Sequence, residues 1–271
     1  MIKRLSIITI NWNDAEGLAK TVESVVSQIT SNCEYIIVDG QSTDGSLEII
    51  KRYADDITSW VSEPKNGIYA DMNKGLAMAT GDYCLFLNSG DWLCEGSLSR
   101  AIKECNGEDI IYFNTKLSYD GEKRFEELRY PKYLTMRSFF NRTIGHQSTL
   151  IKRDLFLKYG IYNENYKIHS DYEFWIKTII IGNVNCKYVD QFLVYYDMNG
   201  RSSKPDDNSL LEIDSILMQH LPKRVLDDYQ YWFTKEKEMQ ILVWYRSQPL
   251  LYRVMVFYYK VIKNISRLLS K

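Results

Sequence analysis

The N-terminal third of the chain alternates short apolar runs with segments whose apolar residues recur at helical spacing, and this alternation restricts the fold more than any other feature. The runs are LSIITIN (5–11), YIIVD (35–39), a shorter one near 58–62 and YCLFLN (83–88); the helical segments lie near 15–28, 45–54 and 68–79. Leu18, Val22, Val25 and Ile29 fall on one helix face, and Asp14 and Asp44 stand where N-caps belong. Apolar runs separated by helices predict an α/β domain with a mostly parallel sheet covered by helices. Such sheets bind ligands at the carboxyl ends of their strands. Asn11, Asp39 and the stretch from Asn88 to Asp91 all fall at those ends. A strand buried on both faces is a rigid mount for a polar group at its tip. Taken alone, Asp91 reads equally well as an Asx-turn or as a cap for a helix starting near Gly96.

Composition narrows the class. The 271 residues are 45% hydrophobic and 14% aromatic, enough for one large domain or two small ones. Lys and Arg (34) nearly balance Asp and Glu (35), so net charge gives no reason to expect nucleic acid as a partner. The five cysteines, Cys33, Cys84, Cys94, Cys105 and Cys186, form no CxxC or Cys/His spacing. They suggest neither a disulfide framework nor a zinc site, and fit a reducing cytoplasm. Lys3 and Arg4 precede an apolar stretch too short for a signal-peptide core, and no segment reaches the roughly 18 apolar residues of a membrane span.

A strand is expected at 109–115, and GRSSKPDDNS (200–209) reads as a linker or mobile loop. The expected division is therefore a domain over 1–200 and a helical extension over 201–271. From Ile241 to Lys271 there is no acidic residue and six basic ones, with Arg246, Arg253, Lys260 and Arg267 seven apart and so near one helical line. Two readings stand. The segment lies on an anionic membrane surface, or it packs on the domain with a solvated basic face; periodicity does not separate lipid from protein core.

Neither GxGxxG after the first strand, nor GxxxxGK[ST], nor GxSxG is present. What the chain has instead is SIITINWN, YIIVDGQSTDGS, EPKNGIYADMNKGLAMATGDYCLFLNSGDWL, GHQSTLIKRDLFLKYGIYNE and HSDYEFWIK. In this order and spacing, over about residues 4–200, they resemble the family 2 glycosyltransferases of the GT-A fold, above all bacterial enzymes that build surface polysaccharides. The resemblance implies transfer of a sugar from a nucleoside diphosphate to a hydroxyl of a glycan or lipid-linked oligosaccharide, with inversion and with Mg²⁺ or Mn²⁺.

It also implies roles. Asp39 would accept from the base or ribose, with Thr9 and Asn11 lining the same pocket, and Asn73 and Lys74 would meet the donor. Asp91 would hold the cation, because a bare carboxylate about 4 Å from a phosphate costs on the order of 1–4 kcal/mol. Asn88 and Gly90 stand where the family usually has carboxylates, which leaves Asp91 alone there; Asn88 keeps the ability to bond the ribose or sugar. Relatives place an acid at position 70, whereas this chain has Ala70 and Asp71, a displacement of about 100° on a helix. Asp171 would be the general base, His146 and Gln147 would border the acceptor, and Arg201 would close over the diphosphate. Two rivals remain. A sugar nucleotidyltransferase expects a basic glycine-rich loop near the N-terminus, which ITINWNDAEG lacks; an inactive nucleotide-sugar-binding subunit accords with the missing carboxylates at 88 and 90.

Overall fold

The computed structural model describes residues 5–119, 122–140, 143–199 and 207–269. Met1–His220 and Leu221–Lys271 form two compact units, the division falling beyond the turn-rich segment at 200–209. The first unit opens with β1 (Leu5–Asn11), α1 (Ala15–Val26), β2 (Cys33–Asp39), α2 (Ser46–Arg52), β3 (Ser59–Ser62), α3 (Ile68–Met78) and β4 (Tyr83–Phe86). These strands are parallel in the order β3-β2-β1-β4, as strands joined by helical crossovers must be. Every residue of β1 and β2 is buried. Leu18, Val22 and Val25 of α1 pack with Leu5, Ile7, Tyr35 and Ile37, each such aliphatic side chain contributing about 1.5–3 kcal/mol.

Beyond β4 come β5 (Trp92–Leu93), α4 (Ser97–Lys103), β6 (Ile110–Tyr119), β7 (Arg124–Leu128) and α5 (Met136–Phe140). A 3-10 turn (His146–Ser148), β8 (Thr149–Lys152), α6 (Asp154–Tyr159) and α7 (Ser170–Trp175) follow; α7 runs on into a π-helical turn (Ile176–Ile181), then β9 (Cys186–Asp197) and α8 (Asp207–His220). The sheet continues β4-β8-β6-β9-β5, with β7 also on β6. Here it is mixed: β8 is antiparallel to both its neighbours, β6 and β9 are parallel, and β5 is antiparallel to β9.

Local chemistry sets the strand ends. Asp14 caps α1, accepting the Gly17 N–H at 3.1 Å. Asp44 is not the cap of α2; left-handed Gly45 (φ 99°) holds that position, and the Asp44 carboxylate bonds the N–H groups of Ser46 and Ala15. At the opposite end of the sheet, buried Glu34 on β2 accepts from Ser6, Thr80 and Gly81. The chain leaves β4 through Gly90, whose φ of 94° lies in the left-handed region that favours glycine. The Thr21 hydroxyl pins this turn to α1, donating to the Asp91 carbonyl at 2.7 Å and accepting from the Gly90 N–H at 3.1 Å.

α8 belongs to the first unit for a physical reason. Its Glu212 accepts from the N–H groups of Lys167, Ile168 and His169, Ser209 bonds His169 at 2.6 Å, and His220 pairs with buried Glu173 at 2.9 Å. The loop entering α7 is thus held from α8. The second unit comprises α9 (Lys223–Thr234), α10 (Glu236–Ser247) and α11 (Pro249–Leu269). Among its described side chains none is buried, and large apolar ones such as Trp232, Trp244, Phe257 and Ile262 are exposed. Among the described residues no helix is long and apolar enough to cross a membrane.

Candidate active site

The tips of β1 and β2 share one polar network. Asn11 Nδ2 donates to Asp39 Oδ1 at 2.8 Å and to Ser42 Oγ at 3.2 Å. Asp39 also accepts from the Ser42 hydroxyl (2.6 Å), the Ser42 N–H (3.0 Å) and the Ser62 hydroxyl (2.7 Å). Burial raises the Asp39 pKa, but these bonds outweigh it and hold the carboxyl below its ordinary range. Both oxygens therefore carry two donors, and a ligand reaches Asp39 only where a serine hydroxyl turns toward it instead. Asn11 Oδ1 is buried with no partner among the described residues, an acceptor the network leaves open. Trp12, 40% exposed, stands beside it with the Lys65 ammonium 3.4 Å from the ring centroid. Thr9, expected to line the same pocket, is fully buried; it donates to the Leu87 carbonyl at 2.7 Å and lies 3.0 Å from the Tyr35 hydroxyl, so it ties strands together inside the core.

After β4 the chain presents Asn88 and Asp91. Asp91 is only 5% exposed, and Oδ1 accepts the Asp197 N–H at 3.0 Å. Burial above all, with the charges of Asp197 and Asp14, pushes its pKa to about 7, against the Asp197 N–H bond and the His146 charge. Carboxylate atoms of Asp14 and Asp197 lie 3.6 and 3.8 Å from where a Cβ on Gly90 would stand. Three acids crowd this turn, so a positive charge would relieve it. Among the described residues no group of three His, Cys, Asp or Glu side chains surrounds a metal position. Mg²⁺ and Mn²⁺ commonly use one or two protein carboxylates with substrate phosphates, and Asp91 fits a cation completed by its substrate.

Asp171, at the start of α7, is buried among donors. Oδ1 accepts from the Tyr69 hydroxyl (3.1 Å) and the Tyr172 N–H (2.9 Å); Oδ2 meets His146 Nδ1 at 3.1 Å. Burial raises its pKa, yet the His146 hydrogen bond and charge, the His169 charge and the Tyr69 hydroxyl together hold it below the ordinary value. The other face of His146 meets Asn88, Nε2 to Nδ2 at 3.4 Å. His146 therefore bridges the loop of Asn88 and Asp91 to Asp171, and its charge acts on both acids.

Other expected residues have different tasks. Asn73, expected to meet the donor, has its amide engaged within the protein: Nδ2 donates to the Tyr162 carbonyl and Glu164, and Oδ1 accepts the Tyr162 N–H, so the amide staples α3 to the loop at 162–164. Lys74 pairs with exposed Glu63, which leaves its charge near the first turn of α3. Asp71 is buried, which raises its pKa, and reaches back to the Asn66 N–H in the manner of a helix-start acid. Gln147 is buried, its amide oxygen 2.9 Å from where a Cβ on Gly145 would stand. Arg201 lies outside the described residues. Sequence reasoning missed Tyr69 and Glu212. Tyr69 sits within GIYAD in plain view, but nothing local points it at a residue 102 positions away.

The sheet, its helices and the acids at its strand tips define the GT-A class of transferase folds. Residues 6–160 match the family profile described as Glycosyl transferase family 2, and the chain belongs to that family; it is a glycosyltransferase. It is 27% identical over 220 residues to a PGL/p-HBAD biosynthesis glycosyltransferase of Mycobacterium bovis, covering 76% of this chain and 82% of that one. It is likewise 27% identical over 289 residues to a cholesterol galactosyltransferase of Borreliella burgdorferi, covering 92% of this chain and 79% of the relative. Among solved structures, Staphylococcus aureus TarS 1–349 in complex with UDP superposes with a TM-score of 0.64 at 17% identity, covering 83% of this chain and 69% of TarS. The mannosyltransferase PcManGT of Pyrobaculum calidifontis, in complex with GDP-Man and Mn²⁺, gives 0.55 at 17% identity, covering 75% and 59%. At these identities the structural likeness speaks for the fold alone.

Proposed function

We propose that this glycosyltransferase moves a sugar from a nucleoside diphosphate to a hydroxyl of a glycan or lipid-linked acceptor with inversion at the anomeric carbon. The observation that carries the reading is the His146 bridge, which brings the Asn88–Asp91 loop and Asp171 into one site. The nucleotide occupies the network of Asn11, Asp39, Ser42 and Ser62 at the tips of β1 to β3, where Asn11 Oδ1 has an acceptor to offer. Related folds bound to UDP, UDP-GlcNAc and GDP-Man support a nucleotide-sugar donor. Asp91 would hold the divalent cation, which when bound neutralises charge on the diphosphate. Asn88 orients the donor sugar. The basic group that activates the acceptor is centred on Asp171, and attack occurs opposite the leaving diphosphate.

The second unit supports work at a membrane surface on the cytoplasmic side. Exposed aromatic and aliphatic side chains on α10 and α11, with six basic and no acidic residues from 241 to 271, suit an anionic lipid interface. The catalytic unit in this reading runs through α8, because Glu212 holds the loop leading to Asp171.

A panel of nucleotide sugars, assayed with and without Mg²⁺ or Mn²⁺, tests the proposal. Asp171→Asn is expected to abolish transfer while leaving donor binding, read as thermal stabilisation, intact. Full transfer by that variant would refute the assignment of the base. Donor binding without turnover by the native protein under every condition would favour the inactive binding subunit.

A further inference from the structure

We propose that Glu212 on α8 is a positioning residue for Asp171, acting through the peptide that joins Ile168 to His169. The inference rests on the transfer reaction proposed above, with Asp171 as its base, and concerns what holds that base where it can work.

The entrance to α7 is the first argument. His169 stands at the N-cap of this helix and makes no side-chain cap bond, so the carboxylate such a helix start favours has to come from elsewhere. Glu212 supplies it. Oε1 accepts the Lys167 N–H at 2.8 Å, and Oε2 accepts the N–H groups of Ile168 and His169 at 3.1 and 3.2 Å. Three consecutive N–H groups thus converge on one side chain, and the last of them lies two residues before Asp171.

The second argument lies in one peptide unit. The His169 N–H and the Ile168 carbonyl belong to the same plane; the N–H is held by Glu212, and the carbonyl accepts from the Tyr69 hydroxyl. That hydroxyl also stands 3.1 Å from Asp171 Oδ1. The plane is therefore clamped at both ends, from α8 on one side and α3 on the other, and the group that grips one end also touches the base. Freeing the Glu212 end lets the plane turn, and Tyr69 and Asp171 lose their common reference.

The third argument is that α8 is a firm mount. Ile216 and Leu217 are buried, an anchorage that does not depend on Glu212. The same helix reaches both sides of Asp171 through side chains: the Ser209 hydroxyl lies 2.6 Å from His169 Nε2, and His220 meets Glu173 at 2.9 Å. Glu212 adds the grip on the backbone between them. A base needs its geometry held by such surrounding contacts, and a misplacement of about 1 Å in a reacting group costs on the order of 100-fold in rate.

Glu212→Ala opens the clamp. With the best donor from a panel containing UDP-GlcNAc, UDP-galactose and GDP-mannose, kcat is expected to fall about 30-fold while the donor KM stays within about threefold. Glu212→Gln keeps an oxygen for the Ile168 and His169 N–H groups, and its kcat is expected within about fivefold of wild type. Gln219→Ala removes a second tether between α8 and the same loop, from the Tyr166 hydroxyl at 3.2 Å, without touching the Ile168–His169 peptide; its kcat is expected within about twofold of wild type. Adding Tyr69→Phe to Glu212→Ala is expected to lower kcat by less than about threefold below the slower single variant, because both act on one peptide. Melting with UDP and MgCl₂ checks that each variant is folded, and Glu212→Leu, which fills the space without an acceptor, is judged as Glu212→Ala is. With Asp171→Asn inactive, the inference is overturned by kcat within about threefold of wild type in Glu212→Ala or Glu212→Leu, by an equal loss in Gln219→Ala, or by losses that multiply in the double variant; the proposed function then stands. Full activity of Asp171→Asn overturns the proposed function itself.

Discussion

Replacing Asp91 with asparagine is expected to stabilise the protein in the absence of divalent cations, by an amount that grows with pH. The carboxyl is buried beside Asp14 and Asp197, and its pKa lies at about 7 instead of 3.8. Because the folded carboxyl holds its proton more tightly than the unfolded one, folding loses stability as pH rises from below 4 to above 7. The cost of Asp91 is about 1 kcal/mol at pH 4.5 and about 4 kcal/mol above pH 8, since each tenfold gain in proton affinity on folding is worth roughly 1.4 kcal/mol. Asparagine keeps an oxygen for the Asp197 N–H and carries no charge. At about 2–4 °C per kcal/mol for a domain of this size, Asp91→Asn is expected to melt on the order of 10 °C higher than wild type at pH 8.5 and only a few degrees higher at pH 4.5. Differential scanning calorimetry in EDTA, across that pH range, is the assay. MgCl₂ with UDP is expected to raise the wild-type midpoint by more than the variant's, because only the cation's share of the binding is lost. A difference that is flat with pH, or a variant less stable at pH 8.5, would refute the raised pKa of buried Asp91.

Two further outcomes follow from the same geometry. Tyr69→Phe removes a hydroxyl whose single hydrogen is shared between the Ile168 carbonyl and Asp171 Oδ1, so the Asp171 pKa moves up and the acid limb of the kcat/KM profile shifts to higher pH, with kcat lower by about tenfold. An unshifted limb would show that Tyr69 does not act on the base. Deletion of 241–271 is expected to abolish sedimentation with vesicles containing phosphatidylglycerol, and the intact chain should be released by salt, since each basic residue near such a surface is worth about 1 kcal/mol. Equal sedimentation of both proteins would remove the membrane proposal.

The parallel half of the fold was legible because each strand is followed by a helix of matching period, and the buried runs carry no competing pattern. The mixed half was not. Nothing in the residues of β8 announces that it will insert antiparallel between β4 and β6, since pairing partners are chosen by the three-dimensional packing of long connections. The segment 200–209 has a linker's composition, yet Glu212 and His220 just beyond it are tied to the loop and helix of Asp171, and the compact units divide after His220. Site residues at strand tips were readable as polar groups, but their tasks were not. Thr9 and Asn73 have the chemistry of ligand contacts and use it on the protein's own backbone. The His146 bridge joins residues 25 and 58 positions apart, and no local period encodes such a meeting.

Inversion by attack opposite the diphosphate is checked at its root by the anomeric configuration of the first product, followed by proton NMR as a nucleotide sugar with a known α linkage is turned over in the presence of Mg²⁺. A β-linked product from the α-linked donor is expected with the native protein, and none with Asp171→Asn. An α-linked product would contradict the mechanism.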